Sequence, residues 1–160
     1  MRIGIVADTH SQKIPPQVLK DLHKVDFIIH AGDFCSQEDL DIFAKIKDVK
    51  AVRGNMDSAS LAKSLPDKEI IECEGVRIGI THGSGPRDKV LSSVKKVFSK
   101  DDVQAVVFGH SHAALNEVID GVLYFNPGSP NDYVFPLYRS YGILEVKNGK
   151  VFGKIIKLEN

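Results

Sequence analysis

Five short polar motifs each stand directly behind an apolar run, and between them they carry the residue types that hold transition metals. Asp8-Thr9-His10 follows Ile3–Ala7, Gly32-Asp33 follows Phe27–Ala31, and Gly54-Asn55-Met56-Asp57 follows Val49–Val52. His82-Gly83 follows Ile78–Thr81, and Gly109-His110-Ser111-His112 follows Ala105–Phe108. The set offers two carboxylates (Asp8, Asp33), four imidazoles (His10, His82, His110, His112) and one amide (Asn55), enough for two adjacent metal ions. Mixed oxygen and imidazole donors suit Mn, Fe, Co, Ni or Zn better than Ca or Mg. A carboxylate can bridge two such ions about 3.5–4 Å apart, and the pair activates water for in-line attack on phosphorus. Alternate residues of an extended segment point the same way, so Asp8/His10 and His110/His112 are expected to form pincers if their loops stay extended. Each motif alone is weak, since Asp-x-His and Gly-Asp are commonly plain turns. The ordered set, with every member at a strand end, is what points to a metal site.

The elements that must position these residues follow from the hydrophobic pattern. Ile3–Ala7, Phe27–Ala31 and Val49–Val52 read as buried strands, separated by two helices. Pro15-Pro16 opens the first helix, which turns Val18, Leu19, Leu22 and Val25 to one face. Ser36 is the N-cap expected for the second, with Leu40, Phe43 and Ala44 inward. This β-α-β-α-β opening argues for a parallel sheet. Hairpin signals then dominate: Glu74-Gly75 between Ile70–Cys73 and Val76–Ile80, Asp120-Gly121 between Glu117–Ile119 and Val122–Phe125, and Asn148-Gly149 between Tyr141–Val146 and Val151–Leu158. A helix begun at Pro86 carries Val90, Leu91, Val94, Val97 and Phe98 on one stripe. The expected fold is α/β: two sheets packed face to face with helices outside, in one domain spanning 1–160. Ligands in such sheets gather where the strands' carboxyl ends deliver their loops. Five strands would therefore bring their motifs to one rim, which Asn126-Pro127-Gly128-Ser129 would close.

Bulk composition narrows the classes of function. Lys+Arg and Asp+Glu balance at 21 each, which is not the basic footprint of a protein that grips long nucleic acid. Cys35 and Cys73 have no CxxC spacing, so a reducing, cytoplasmic setting is expected. Neither a signal peptide nor a membrane span is expected.

The series Asp8-x-His10, Gly32-Asp33, Gly54-Asn55-x-Asp57, His82-Gly83 and Gly109-His110-x-His112 resembles the calcineurin-like metallophosphoesterases. The short length, the Gly-Asn-x-Asp variant and Asn126-Pro127-Gly128-Ser129 place the resemblance nearest their small YfcE-like phosphodiesterase branch. It covers residues 1 to about 130 and implies a four-layer α/β/β/α sandwich of two mixed sheets flanked by helices. It also implies two divalent transition-metal ions, manganese first, with Ni, Fe, Co or Zn as alternatives. One ion would take Asp8, His10, Asp33 and His112. The other would take Asp33, Asn55, His82 and His110, with Asp33 bridging and a hydroxide between the metals as nucleophile. Asn55 is also a candidate phosphate contact. The implied activity is hydrolysis of a phosphodiester in a small or flexible substrate. A phosphomonoesterase on the same centre and a non-catalytic interaction scaffold of the same fold are the alternatives. Homo-oligomers are common among such proteins, so self-association is expected.

One departure stands out. Where many larger relatives carry a histidine after the Gly-Asn pair, this chain has Met56, whose thioether cannot protonate a leaving group. Asp57 is expected to orient a ligand rather than replace that acid. His23 is expected in solvent, His30 as a packed strand residue beside the site, and Cys35 as a small hydrophobe flanking it. Arg87 and Arg139 are the arginines that could reach a substrate phosphate.

Overall fold

The computed structural model describes residues 1–159. Among the described residues, ten strands form two five-stranded sheets. The first comprises β1 (Arg2–Val6), β2 (Phe27–His30), β3 (Val49–Ala51), β9 (Ser140–Lys147) and β10 (Lys150–Lys157), ordered β10-β9-β1-β2-β3. Strands β1, β2 and β3 run parallel, while β9 and β10 join antiparallel. The second comprises β4 (Lys68–Cys73), β5 (Val76–Thr81), β6 (Ala105–Val107), β7 (Leu115–Ile119) and β8 (Val122–Asn126), ordered β4-β5-β6-β8-β7. Here β5, β6 and β8 are parallel, and hairpins add β4 and β7 at the edges.

The uninterrupted apolar runs exist because both faces of each sheet are covered. In β1, Ile3 and Ile5 point into the core between the sheets, while Val6 joins the outer cluster under the helices. The same split recurs at Ile29 against Ile28 and at Val107 against Val106. Gly4 marks where helix α1 (Pro16–Leu22) presses closest, since a Cβ there would collide with Leu22. Helices α1, α2 (Gln37–Ala44) and α3 (Ala59–Ser64) cover the first sheet through Val18, Leu22, Phe43 and Leu61. Helix α4 (Val90–Val97) covers the second through Val90 and Val94. The result is the expected four-layer α/β/β/α sandwich of two mixed sheets.

Three details differ from expectation. Ala44 is exposed rather than inward, because α2 ends there, and Val97 is 41% exposed at the last position of α4. Helix α3 was not anticipated; at 6 residues it has too few turns to show a periodicity. Ser36 caps α2 as expected, accepting the backbone N–H of Asp39. Among the described residues no helix is long and apolar enough to cross a membrane.

Candidate metal centre

The parallel strands of both sheets end at one rim, and each hands its next residues to a loop that turns inward. Those loops are stitched across the gap. Asp8 N donates to Gly32 O at 3.0 Å, His10 N to Asp33 O at 3.0 Å, and Gly109 N to His82 O at 3.0 Å. The crowding is tight enough that glycine is required at Gly32, whose φ is +93° and where a Cβ would lie 2.8 Å from His82 Nδ1.

The expected pincers form by a different route. Asp8, His10, Asp33, His110 and His112 all adopt left-handed backbone, with φ between 51° and 66°. Successive left-handed turns, not extended chain, aim these side chains inward. Such conformations are costly for non-glycine residues and collect at functional sites.

Two groups of donor atoms result. In one, His10 Nε2 lies 3.1 Å from His112 Nε2, and His112 Nε2 lies 3.5 Å from Asp8 Oδ1. In the other, Asn55 Oδ1 lies 3.1 Å from His82 Nε2 and 2.9 Å from His110 Nδ1, with the two ring nitrogens 3.3 Å apart. Asp33 Oδ2 stands between them, 3.3 Å from His82 Nε2 and 3.8 Å from His10 Nε2. Asp8 was expected to serve one ion only, yet its Oδ1 is also 3.9 Å from His82 Nε2. Both carboxylates therefore face both groups.

The outer contacts dictate what the inner atoms present. His82 Nδ1 donates to Ala31 O at 2.7 Å, His110 Nε2 to Gly85 O at 2.9 Å, and His112 Nδ1 to Asp132 Oδ2 at 2.5 Å. With the proton committed outward, each neutral ring aims a lone pair inward, as metal-ligating histidines do. Asp33 Oδ1 accepts the Met56 N–H at 2.8 Å, which leaves Oδ2 to the centre. Asp8 is fully buried, and its Oδ2 has no hydrogen-bond partner. Converging lone pairs and a buried, under-satisfied carboxylate repel one another unless a cation or protons intervene. The spacing fits cations: ligand bonds of about 2.0–2.2 Å put neighbouring ligand atoms roughly 3 Å apart.

The electrostatics record the same strain. Burial pushes the Asp8 carboxyl up to about 7. Burial opposes charge on His82, but the Asp33 and Asp8 carboxylates outweigh it and hold that imidazole up to about 9. Burial also opposes charge on Asp33, yet bonding to His82 and the Met56 amide keeps its carboxyl below the ordinary value. Without a cation, protons must do its work; with one, His82 must surrender its proton.

Around this centre the flanking residues fall as follows. Asp57 supports loops, its carboxylate accepting the N–H of Cys35 at 2.8 Å and of Gly54 at 2.6 Å. Asn126 donates to Gly109 O at 2.9 Å, and Ser129 Oγ donates to Asp8 O at 2.8 Å, so the Asn-Pro-Gly-Ser segment does close the rim. His30 is buried, stacked on Phe34 at 3.6 Å and 3.1 Å from Thr9 Oγ1, and burial holds it well below its usual range. His23 is exposed. Cys35 Sγ lies 3.8 Å from His10 Nδ1. Arg139 is buried and committed to Glu159 O at 2.8 Å, so it is structural; Arg87 is exposed and its charge is felt at Asp8 and His112. Sequence reasoning missed Asp132. It belongs to no motif, and only the fold brings it 20 positions back to His112.

A two-sheet sandwich that gathers such donors at its strand ends is a metal-binding hydrolase architecture. The chain belongs to the calcineurin-like phosphoesterase superfamily, whose domain matches residues 1–149. It is 34% identical to a probable metallophosphoesterase of Methanocaldococcus jannaschii, over 99% of this chain and 82% of that protein. A phosphodiesterase of the same organism is 29% identical over 92% of this chain and 94% of its own. In fold, the chain resembles Vps29 of Chaetomium thermophilum, with a TM-score of 0.80, 22% identity and coverage of 99% of this chain and 97% of that one.

Proposed function

We propose that the protein is a metal-dependent phosphodiesterase whose seven ligands hold two divalent ions, manganese first among them. The observation that carries this reading is Asp33 Oδ2, a single carboxylate oxygen placed 3.3 Å and 3.8 Å from ring nitrogens of the two donor groups. When bound, the metals would supply charge for the phosphoryl oxygens and an activated water. The chain's own residues supply the rest. Asp8, His10 and His112 define one side of the centre, Asn55, His82 and His110 the other, and Asn55 Nδ2 is free to donate to a phosphate oxygen.

A diester rather than a monoester is favoured by the surroundings. One cleft of about 430 Å³ opens beside Asn55 and His82, and another of about 360 Å³ beside His10 and His112. A diester has two organic substituents to place, one in each cleft; a monoester has one. The phosphodiesterase among the relatives supports the same choice. Met56 is 57% exposed at the rim and cannot donate a proton, so either water or another group serves as the acid or the enzyme favours substrates with acidic leaving groups. The substrate is small or flexible, and the free thiols Cys35 and Cys73 suit a cytoplasmic setting.

The test is hydrolysis of bis(4-nitrophenyl) phosphate and 4-nitrophenyl phosphate by metal-stripped protein, with and without added Mn²⁺. Metal-restored cleavage, faster on the diester, is expected. A faster monoester reaction would reverse the substrate assignment, and bound metal with neither activity would point to a scaffold.

A further inference from the structure

The segment after the rim-closing motif leaves large apolar side chains in solvent: Tyr133 is 69% exposed, Val134 80%, Phe135 65% and Leu137 99%. Contiguous apolar exposure marks a binding surface. This surface is built in register with the metal centre. The Asp132 carboxylate that accepts from His112 Nδ1 through Oδ2 also accepts, through Oδ1, the backbone N–H of Val134 at 2.7 Å and of Phe135 at 3.2 Å. One side chain thus fixes both a ligand and the apolar loop.

The two aromatic rings are held, not loose. The Arg87 guanidinium lies 3.5 Å from the centroid of the Phe135 ring, and Arg139 lies 4.2 Å from that of Tyr133. Each ring has a cation over it and most of its remaining surface in solvent. Both line the 360 Å³ cleft together with His10 and His112, and the Phe135 ring centroid is 6.4 Å from that of His112. No lysine or arginine lines that cleft, and its one acidic group, Asp132, is already bonded. The Arg87 and Arg139 charges adjoin the cleft only through the Phe135 and Tyr133 rings they stack on, and those fixed rings suit a flat, uncharged group.

We propose that this cleft is the subsite for one substituent of the diester, that the substituent is an uncharged aromatic ring stacked on Phe135 and Tyr133, and that Arg87 at its edge attracts the phosphoryl charge. This rests on the diesterase reading above. Stacking of a planar group on an exposed ring is worth about 5- to 150-fold in binding.

The experiment compares 4-nitrophenyl phenyl phosphate with methyl 4-nitrophenyl phosphate on the manganese-loaded protein, so that the leaving group is constant. The phenyl-to-methyl ratio of kcat/KM is expected to fall roughly 10-fold in Phe135→Ala. Leu137→Ser, on the same loop but outside the cleft, is expected to keep the wild-type ratio. In parallel, calorimetry on the same proteins compares phenylphosphonate with methylphosphonate, a readout independent of turnover. Tighter phenylphosphonate binding that Phe135→Ala abolishes would support the subsite even if neither ester were cleaved, an outcome that would defeat only the diesterase reading. Equal phosphonate affinities in the wild type, or a selectivity untouched by Phe135→Ala, would overturn it.

Discussion

Asp132 offers the most discriminating perturbation, because its two oxygens do separable work. Oδ2 holds His112 in the tautomer that aims Nε2 inward, and Oδ1 accepts two backbone N–H groups from the following loop. The side chain is 10% exposed, so water cannot readily replace these bonds. In Asp132→Asn the amide oxygen should stay with the two backbone donors, since turning it to His112 would give up two bonds for one. That orientation sets an amide N–H against His112 Nδ1. The ring must then present its proton at Nε2, where a metal would bind. Loss of such an outer partner costs about 10–100-fold in metal affinity, or about 1.4–2.7 kcal/mol. Asp132→Ala should weaken metal binding similarly, but should also free the loop. The assay is equilibrium dialysis against Mn²⁺, with limited proteolysis of residues 133–137 as the loop readout. Both variants are expected to bind metal more weakly, and only the alanine variant to be cut faster. Wild-type manganese affinity in Asp132→Asn would refute the tautomer argument.

Other outcomes follow from the same geometry. Asp33→Ala deletes the carboxylate proposed as the bridge, one of two that face both donor groups, so metal analysis should show both ions lost together with activity, whereas Met56→Ala should retain them. Two metals per chain in Asp33→Ala would show that Asp33 is not the bridge. Manganese at a hundred times its Kd should stabilise the fold by about 2.7 kcal/mol. At roughly 2–4 °C per kcal/mol for a domain of this size, melting should rise by about 5–11 °C in differential scanning fluorimetry, and EDTA should reverse it. Far from the site, buried Tyr141 donates to Asp21 Oδ2 at 2.5 Å, and Lys24 and Tyr141 together hold the Asp21 carboxyl below its ordinary value. A group so lowered contributes stability above its unfolded pKa of about 3.9 and loses it as pH falls through the folded value. Tyr141→Phe should therefore cost about 1–2 kcal/mol in urea unfolding at pH 7, and the gap should narrow below about pH 4.

The layer order and the gathering of the candidate ligands at one rim were legible because both are written in short-range patterns. Strands covered on two faces must be apolar throughout, and hairpins announce themselves by Asp-Gly and Asn-Gly pairs. The candidate residues could be grouped because parallel strands deliver whatever follows them to one rim. Legibility ended where the determinant was long-range or too short to have a period. Helix α3 has 6 residues and rests on Leu61 alone for its buried contact. Asp132 meets His112 only after the chain has passed through β8 and the rim-closing turn. The shape of the pincers was also hidden, since residue types do not reveal that Asp8, His10, Asp33, His110 and His112 take left-handed backbone.

That backbone has an energetic cost. A left-handed conformation costs a non-glycine residue roughly 1–2 kcal/mol, and natural chains relieve it with glycine where nothing else is at stake. This chain does so at Gly32, Gly83 and Gly128, yet keeps aspartate and histidine at five other positions of the same rim. Substituting glycine at Asp8 would ease the backbone and remove a buried carboxyl pushed up to about 7, at the loss of the bond that its Oδ1 accepts from the His110 N–H at 3.2 Å. At those five positions the side chain supplies a donor atom to the candidate centre, while the neighbouring Ser11 and Cys35 share the left-handed backbone, and the loops are held by bonds such as Asp8 N to Gly32 O, His10 N to Asp33 O and Ser129 Oγ to Asp8 O. The charge part of this strain is what a bound cation would relieve. For this reason metal binding and stability should rise together, and a variant that gains stability without metal should lose affinity for it.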